Sequence, residues 1–357
     1  MMAADAAVEA TTGVAVQVGE QVLTLRNVQP DDRDAVLALH TEVFESAVDA
    51  AWFAWKYGLA PGQGHGHAAG VWHGQRLIAY CGGVPRTLWQ RDQPFAAMQM
   101  GDVMVHPAWR GILTRRGAFF YVTQFFHSTR VGHKKDKPFQ LGFGFPNERA
   151  MRLPVKLGLV WDGGTMETLH WYCTAVGTPD LPPLWRWIEM HPFEAKFERA
   201  CNLAWRKMRT QMGGQTLGQR DAAYLRWRYV DRPPAPSRPV GAAPRYRFFE
   251  LRRPWSRSPA GVAVLEMGLA SAHWLDWVGP MALMPLANLA CRLEARRNGA
   301  DELTAWASTA VAWQLEKSGI SRREVCAGIG VSASSDLRHD DVAGLQWWLM
   351  GGDTDFL

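Results

Sequence analysis

Apolar and polar positions alternate along the chain in blocks that change period from two to about 3.6 and back. Val22, Leu23 and Leu25 stand in a strand-like run over residues 22–26. Pro30 with Asp31-Asp32 then marks a helix start, and Val36, Leu37, Leu39, Val43 and Phe44 recur at helical spacing behind it. A second helix is predicted over 48–57, carrying Trp52, Phe53, Trp55 and Tyr57. His73-Gly74-Gln75 separates two apolar arms, 68–73 and 76–88, which read as a hairpin. A strand over 95–106, a helix over 117–131 and a buried strand over 139–145 follow. A helix opening at Pro146-Asn147 and ending at Leu157-Gly158 precedes two strands, 159–161 and 165–172. The order is β-α-α-β-β-β-α-β-α-β-β.

Pro179, Pro182 and Pro183 mark a linker, and residues 193–212 read as a basic amphipathic helix that braces two domains. A weak repeat then shows itself. Trp52-Phe53-Ala54-Trp55-Lys56-Tyr57, four residues before Pro61, is matched by Tyr224-Leu225-Arg226-Trp227-Arg228-Tyr229, four before Pro233. After the second hexamer come strands over 246–251, 261–267 and 273–278, a helix over 283–298, a strand over 303–306 and a helix over 309–318. A strand over 346–350 and an acidic tail close the pattern. The expected division is a flexible tail (1–20), a first domain (21–174), a linker with its bracing helix (175–213) and a second domain (214–357).

Composition narrows the class without naming it. The 357 residues are 47% hydrophobic and 20% charged, a globular balance with room for two domains. A formal charge of +5 suits an anionic ligand and is too small to argue for nucleic acid. The five cysteines (Cys81, Cys173, Cys201, Cys291, Cys326) lack metal or disulfide spacing and read as buried thiols of a reduced, cytoplasmic compartment. The eleven histidines form no ligand set, so no metal is expected. The N-terminus has neither a basic leader nor a long apolar run, and no stretch approaches the ~20 apolar residues of a membrane span.

Chemistry concentrates after the strand at 95–106. His106-Pro107 ends that strand, and Arg110, Gly111, Arg115, Arg116 and Gly117 fall within eight residues before the next helix. Strand, basic glycine-containing turn and helix N-terminus make a site for phosphate or pyrophosphate. Alone, the same stretch also fits a solvated basic turn.

In this order the stretch resembles the GNAT superfamily of acyl-CoA-dependent N-acetyltransferases. Val103-Met104-Val105-His106-Pro107-Ala108-Trp109-Arg110-Gly111 is similar to that family's strand and V-x-P-x-x-R-G turn. Phe145-Pro146-Asn147 with Ala150 is similar to its N-x-x-A helix start, and Lys156-Leu157-Gly158-Leu159 to the run that closes that helix. The resemblance implies an α/β (α+β) fold of two GNAT-like halves, each a twisted mixed, mostly antiparallel sheet flanked by helices. The second half lacks an Arg/Gly turn between Trp277 and Leu289 and is expected to be a degenerate copy that shapes the acceptor pocket.

The resemblance further implies acetyl-CoA or another acyl-CoA as cosubstrate and a small-molecule amine, amino sugar or amino acid as acceptor. No nucleic-acid partner is implied, and the oligomeric state stays open. Arg110, Gly111, Thr114, Arg115, Arg116 and Gly117 would hold the pyrophosphate, Val103 and Val105 would pair with the pantetheine amides, and Asn147 would reach the pantetheine arm. Two departures stand out. Gly117 is shifted from the family's glycine spacing, and Pro154 occupies the position where many members carry a proton-donating Tyr. Asp102 is the candidate base, with an ion pair or a bulge-satisfying carboxylate as the alternative reading; His170 is a second candidate. No nucleophile arrangement stands out, so direct transfer is expected. The competing functions are a non-catalytic acyl-CoA-binding scaffold and a tandem-GNAT aminoacyl transferase using charged tRNA, which an Arg-rich turn does not favour.

Overall fold

The computed structural model describes residues 13–45, 48–58, 67–111, 116–174, 179–233, 246–333, 342 and 344–354. In the first half, β1 (Val14–Val18), β2 (Gln21–Asn27), β3 (His67–His73), β4 (Arg76–Gln90) and β5 (Gln93–Val105) form an antiparallel meander. β6 (Leu141–Gly144) then joins β5 in parallel. Helix α1 (Arg33–Phe44) lays Val36 and Leu39 on Trp72, Leu77, Tyr80 and Met104. A short α2 (Ala50–Phe53) continues into a π turn over Ala54–Gly58. On the opposite face, α3 (Ala118–Arg130) buries Val122 and Phe126 against the meander, and α4 (Glu148–Lys156) follows β6. Nearly every strand position facing either layer is apolar, and that burial drives the assembly.

The second half repeats the plan. β8 (Arg186–Met190), β10 (Tyr246–Arg252), β11 (Gly261–Met267) and β12 (Ser271–Val278) are antiparallel neighbours, and β13 (Glu302–Ser308) joins β12 in parallel. Helices α5 (Ala195–Gln211), α6 (Ala222–Tyr229), α7 (Met284–Arg297) and α8 (Thr309–Leu315) pack on it. The halves exchange strands. β14 (Arg322–Ser332), from the end of the chain, enters between β6 and β7 (Val160–Tyr172), while β7 lies between β14 and β13. The result is one continuous sheet, with β9 (Thr216–Gly218) and β15 (Trp347–Trp348) attached beside β4.

The repeated hexamers meet at the centre of this assembly. Trp55 Nε1 donates to the Trp227 carbonyl at 2.7 Å, and Trp227 Nε1 donates to the Trp55 carbonyl at 3.1 Å. Their rings stack with centroids 5.4 Å apart. Each hexamer repeats the other's bond, so the halves are related by an approximate twofold axis between the two tryptophans.

The fold class is as expected, and four elements differ from the sequence reading. Residues 14–18 are not part of a flexible tail: Val16 and Val18 pair with Leu23 and Gln21 in a hairpin. The linker contributes β8 as the sheet's edge. β9 and β14 had no periodic signal, and β14 opens with exposed Arg322, Arg323 and Glu324.

One buried histidine sets a pH limit on this core. His127 of α3 sits against the carbonyl of Leu159 (Nδ1 to O, 3.1 Å). Burial pushes its pKa down to about 4. The unfolded chain takes up this proton near pH 6.5 and the folded chain does not. The stabilisation is therefore complete above about pH 6.5 and is lost toward pH 4, at about 1.4 kcal/mol per unit, near 3 kcal/mol in all. Urea titrations at pH 7 and pH 4.5 should show that slope, and His127→Gln should flatten it.

Candidate active site

β5 and β6 pair over Ala97–Gln99 and Leu141–Phe143 and then part. The separation has a local cause in each strand. On β5 the register against β4 slips, with Tyr80 opposite Met104 but Gly82 opposite Gly101, so Asp102 and Val103 form a bulge. Asp102 adopts φ +49°, the left-handed region that Asp and Asn tolerate best among residues with a side chain. On β6, a Cβ at Gly144 would stand 3.0 Å from the Met100 carbonyl, so any side chain there would press on β5 where the strands begin to diverge. Beyond Gln99, the β5 edge facing the wedge pairs with no strand among the described residues. Free N–H and C=O groups on such an edge accept an extended ligand as an added strand would be accepted.

The Asp102 carboxylate is held from the π turn. Lys56 Nζ lies 2.7 Å from Oδ2, and Tyr57 donates its hydroxyl to the same oxygen at 2.5 Å. Burial alone would raise this carboxyl. The Lys56 charge and the hydrogen bonds from Lys56 and Tyr57 outweigh it and hold Asp102 below the ordinary carboxylate range. The geometry therefore realises the alternative reading of Asp102, an ion-paired carboxylate that fixes a bulge.

The other predicted residues are distributed as follows. Val103 is exposed at the bulge, and Val105 is partly buried. Arg110 turns back, its Nε donating to the Val105 carbonyl at 2.8 Å, and Gly111 takes φ +74°. Thr114 and Arg115 lie outside the described residues. Arg116 is exposed with its guanidinium 5.0 Å from the Phe120 ring centroid, and Gly117 is the N-cap of α3. Gly117 has no side chain to cap with, so among the described residues the first N–H groups of α3 are left for solvent or an anion. Asn147 is exposed at the far lip of the wedge and caps α4, its Oδ1 accepting from the Ala150 N–H at 2.8 Å. Pro154 is a buried interior residue of α4.

His170 does not join this group. Gly330 of β14 stands opposite both Gly144 and Asp162, so Asp162 is level with the wedge, and His170 lies eight residues further along β7, about 26 Å away. There it faces Glu302 at 3.0 Å and Glu324 at 3.4 Å, with Arg322 beside it. Its place is a charge cluster between the halves and not the wedge. Burial pushes the thiols of Cys81 and Cys173 up to about 12 and about 11, so neither is a ready nucleophile.

The second half has the same wedge between β12 and β13, beyond His273 and Thr304. Residues 349–354 fill it. Ser308 N–H donates to the Leu349 carbonyl at 2.9 Å, and Met350 bridges to Ala307. Gly352 sits so close to Tyr229 and Asp276 that a Cβ there would stand 2.1 Å from the hydroxyl. Asp276 matches Asp102 in place: each lies three residues past the parallel ladder, and each accepts from a hexamer tyrosine, Tyr229 at 2.9 Å. A 3-10 turn over Met281–Leu283 runs straight into α7, whose Pro285 removes one of the first N–H donors. The second half therefore has neither an open wedge nor a basic turn.

The filling segment ties both wedges together through charges that no motif signalled. Arg220, fully buried, donates to Asp276 at 2.7 Å and to Asp353. Arg86 donates to Gln99 and, at 2.7 Å, to Tyr224. Gln99 Nε2 donates to the Asp353 carbonyl at 2.8 Å, and Arg228 holds the carbonyls of Gly352 and Thr354 at 3.0 and 2.8 Å. Between Trp55, Gly101, Trp227 and Thr354 remains a cavity of about 20 Å³, the space of one water. Met98 and Met100 face α3, so Gln99 and this cavity lie on the opposite side of the sheet.

Residues 24–135 match the model of an acetyltransferase (GNAT) domain. The chain carries a GNAT domain in its first half. No curated protein matches the sequence. Among solved structures, a conserved protein of unknown function from Enterococcus faecalis superposes with a TM-score of 0.62 at 11% identity, over 87% of this chain and 72% of that one. A GCN5-related N-acetyltransferase from Anabaena variabilis gives 0.61 at 12% identity, with 87% and 72% covered. The Saccharomyces cerevisiae N-myristoyltransferase with bound myristoyl-CoA gives 0.53 at 10% identity and is matched over 94% of this chain and 90% of its own. At these identities the likeness is one of fold, and it extends across both halves. Among the described residues, no helix is long and apolar enough to cross a membrane, and no group of side chains could hold a metal ion.

Proposed function

We propose that the chain is an acyl-CoA-dependent N-acyltransferase with one cosubstrate site, in the first half. The observation that carries this reading is the contrast between the two wedges: one open beside a basic turn and a helix whose N-cap is a glycine, the other closed by residues 349–354. The first N–H groups of α3, with Gly111, Arg116, Gly117 and the adjoining residues 112–115, bind the pyrophosphate. The free edge of β5 from Met100 to Val105 takes the pantetheine amides as a neighbouring strand, with Asn147 at the opposite lip. A backbone N–H on that edge faces the thioester carbonyl and stabilises the oxyanion. Asp102 holds the bulge and so keeps this edge in place. The acceptor amine attacks the thioester directly, and orientation supplies much of the acceleration. Acetyl-CoA, a longer acyl-CoA and free CoA, each tested by thermal shift, should all raise the melting temperature. Thiol release with an amine panel then reads the transfer. No shift with any CoA species ends this reading.

Pro154 favours a second reading, a non-catalytic acyl-CoA-binding protein, because it removes the usual proton donor to the leaving thiolate. CoA binding with no thiol release from any amine would select it. In either case Arg116→Ala is expected to weaken CoA binding by about 1–3 kcal/mol, as for loss of a charge-assisted hydrogen bond. Calorimetric titration with CoA reads this directly.

A further inference from the structure

Two turns of the same build stand side by side at the outer corner of the second half. β8 is the end strand of the sheet, seven strands on from β6 and about 34 Å across it from the open wedge. It pairs with β10 through Trp187 with Leu251 and Arg186 with Arg252, so the turn that enters β8 lies beside the turn that leaves β10. In Pro182-Pro183-Leu184-Trp185, the Trp185 N–H donates to the Pro182 carbonyl at 2.9 Å. In Arg253-Pro254-Trp255-Ser256, the Ser256 N–H donates to the Arg253 carbonyl at 3.1 Å. Each turn therefore has proline at its second position, where the fixed φ stiffens it. At the third position, where turns favour Gly, Asn or Asp, stand Leu184 and Trp255. They are 53% and 66% exposed. A single exposed apolar residue is ordinary, but two on adjacent stiffened apexes form one protruding apolar tip.

Cations flank that tip. Residues 181–187 and 251–259 contain four arginines and no acidic residue. Arg253 joins the two turns, its guanidinium 4.7 Å from the Trp185 ring centroid and 5.7 Å from that of Trp255. Arg186 donates to the Pro183 carbonyl at 2.9 Å, a bond that leaves its charge uncompensated. Lys207 of α5 reaches the same loop, its Nζ donating to the Pro259 carbonyl at 2.8 Å. Among the described residues, none of Arg186, Arg252, Arg253, Arg257 and Lys207 forms an ion pair. Glu250, two residues before Arg252, is buried and stands in the field of Arg252 and Lys196. The exposed surface of the corner is thus apolar at its apexes and positive around them. An anionic bilayer complements both features: indole and leucyl groups enter the headgroup boundary, and guanidiniums stay with the phosphates. Single-stranded nucleic acid also uses arginine and tryptophan, but it stacks its bases on open aromatic faces. Here Arg253 lies over both rings, and Leu184 offers no face to stack on.

We propose that this corner docks the protein on an anionic lipid surface, with Leu184 and Trp255 inserted and Arg186, Arg253 and Arg257 on the headgroup phosphates. The proposal stands apart from the acyltransfer reading, which CoA thermal shifts test by themselves. The experiment is co-sedimentation of the full chain with vesicles of phosphatidylglycerol and phosphatidylcholine in equal parts, set against vesicles of phosphatidylcholine alone. The chain should bind the mixed vesicles and not the neutral ones, and added salt should weaken the binding. Trp255→Ser should weaken it by about tenfold through loss of the inserted indole. Arg257→Gln should weaken it by about fivefold, the effect of one cation near an anionic surface. Both positions are exposed, so both variants should melt with the parent. Absence of binding to the mixed vesicles overturns the proposal, and so does binding that either variant leaves unchanged. If the two variants instead weaken binding of a deoxythymidine oligomer and leave vesicle binding untouched, the corner is a nucleic-acid site and the proposal falls.

Discussion

Arg220→Met is expected to destabilise the fold by about 3–5 kcal/mol and to release the segment 347–354 from the second wedge. Breaking a buried ion pair by removing one partner leaves the other charge without compensation, and that loss is large. Here one guanidinium serves three acceptors: Asp276 at 2.7 Å, the Gly218 carbonyl at 2.8 Å, and Asp353. It also lies over the Trp348 ring, 4.8 Å from its centroid. Without it Asp276 keeps the Tyr229 hydroxyl and Asp353 keeps the Met350 N–H, so neither is stripped of every donor. Asp353 also keeps Arg86 at 3.6 Å, whereas Asp276 must protonate or admit water. Arg220→Lys should recover only part of the loss, because an ammonium cannot reproduce the planar fork. Denaturant titration measures the stability. Hydrogen exchange at residues 347–354 should rise in the variant more than exchange in α3. Equal rates in both segments would show that Arg220 stabilises the whole core and does not specifically hold the tail.

Much of the first half could be read from the sequence because its elements carry their own local signals. The strand before His106-Pro107, the glycine at the head of α3 and the Asn147 cap all depend on residues within a turn of one another. The hexamer repeat was visible too. Its meaning was not, because the reciprocal bonds of Trp55 and Trp227 connect positions 172 residues apart. β14 left no clear pattern. Its Arg322-Arg323-Glu324 start reads as a surface loop, and its glycines dilute the alternation. Pairing with β7 across a domain boundary makes it a strand, and no window of sequence contains that contact. Gly352-Asp353 resembled an acidic tail, whereas Asp353 is buried and forms an ion pair. Arg86 and Gln99 were polar positions in predicted strands; they bond to each other and to Tyr224 and the Asp353 carbonyl of the other half, partners that lie more than a hundred residues along the chain. Local chemistry thus located the open wedge, and long-range exchange closed the other one.

Asp102→Asn separates the structural and chemical readings of the residue at the centre of that open wedge. Asparagine keeps the size and tolerates φ +49°, so the bulge survives, but the charge opposite Lys56 is lost. Lys56 is buried, at 5% relative exposure, and would then lose the carboxylate charge that faces it. Breaking a buried pair from one side puts the expected loss at about 3–4 kcal/mol. Adding Lys56→Met should restore most of it, since replacing both members of a buried pair by groups of similar shape is close to neutral. The double variant carries the functional answer. If Asp102 acts by holding the β5 edge, Asp102→Asn/Lys56→Met should bind CoA and release thiol at rates near those of the parent. If Asp102 takes the amine's proton, the double variant should be as stable as the parent, bind CoA equally well and still fail to turn over. A carboxylate whose pKa is held low by an adjacent ammonium is a weak base. The first outcome is the one expected.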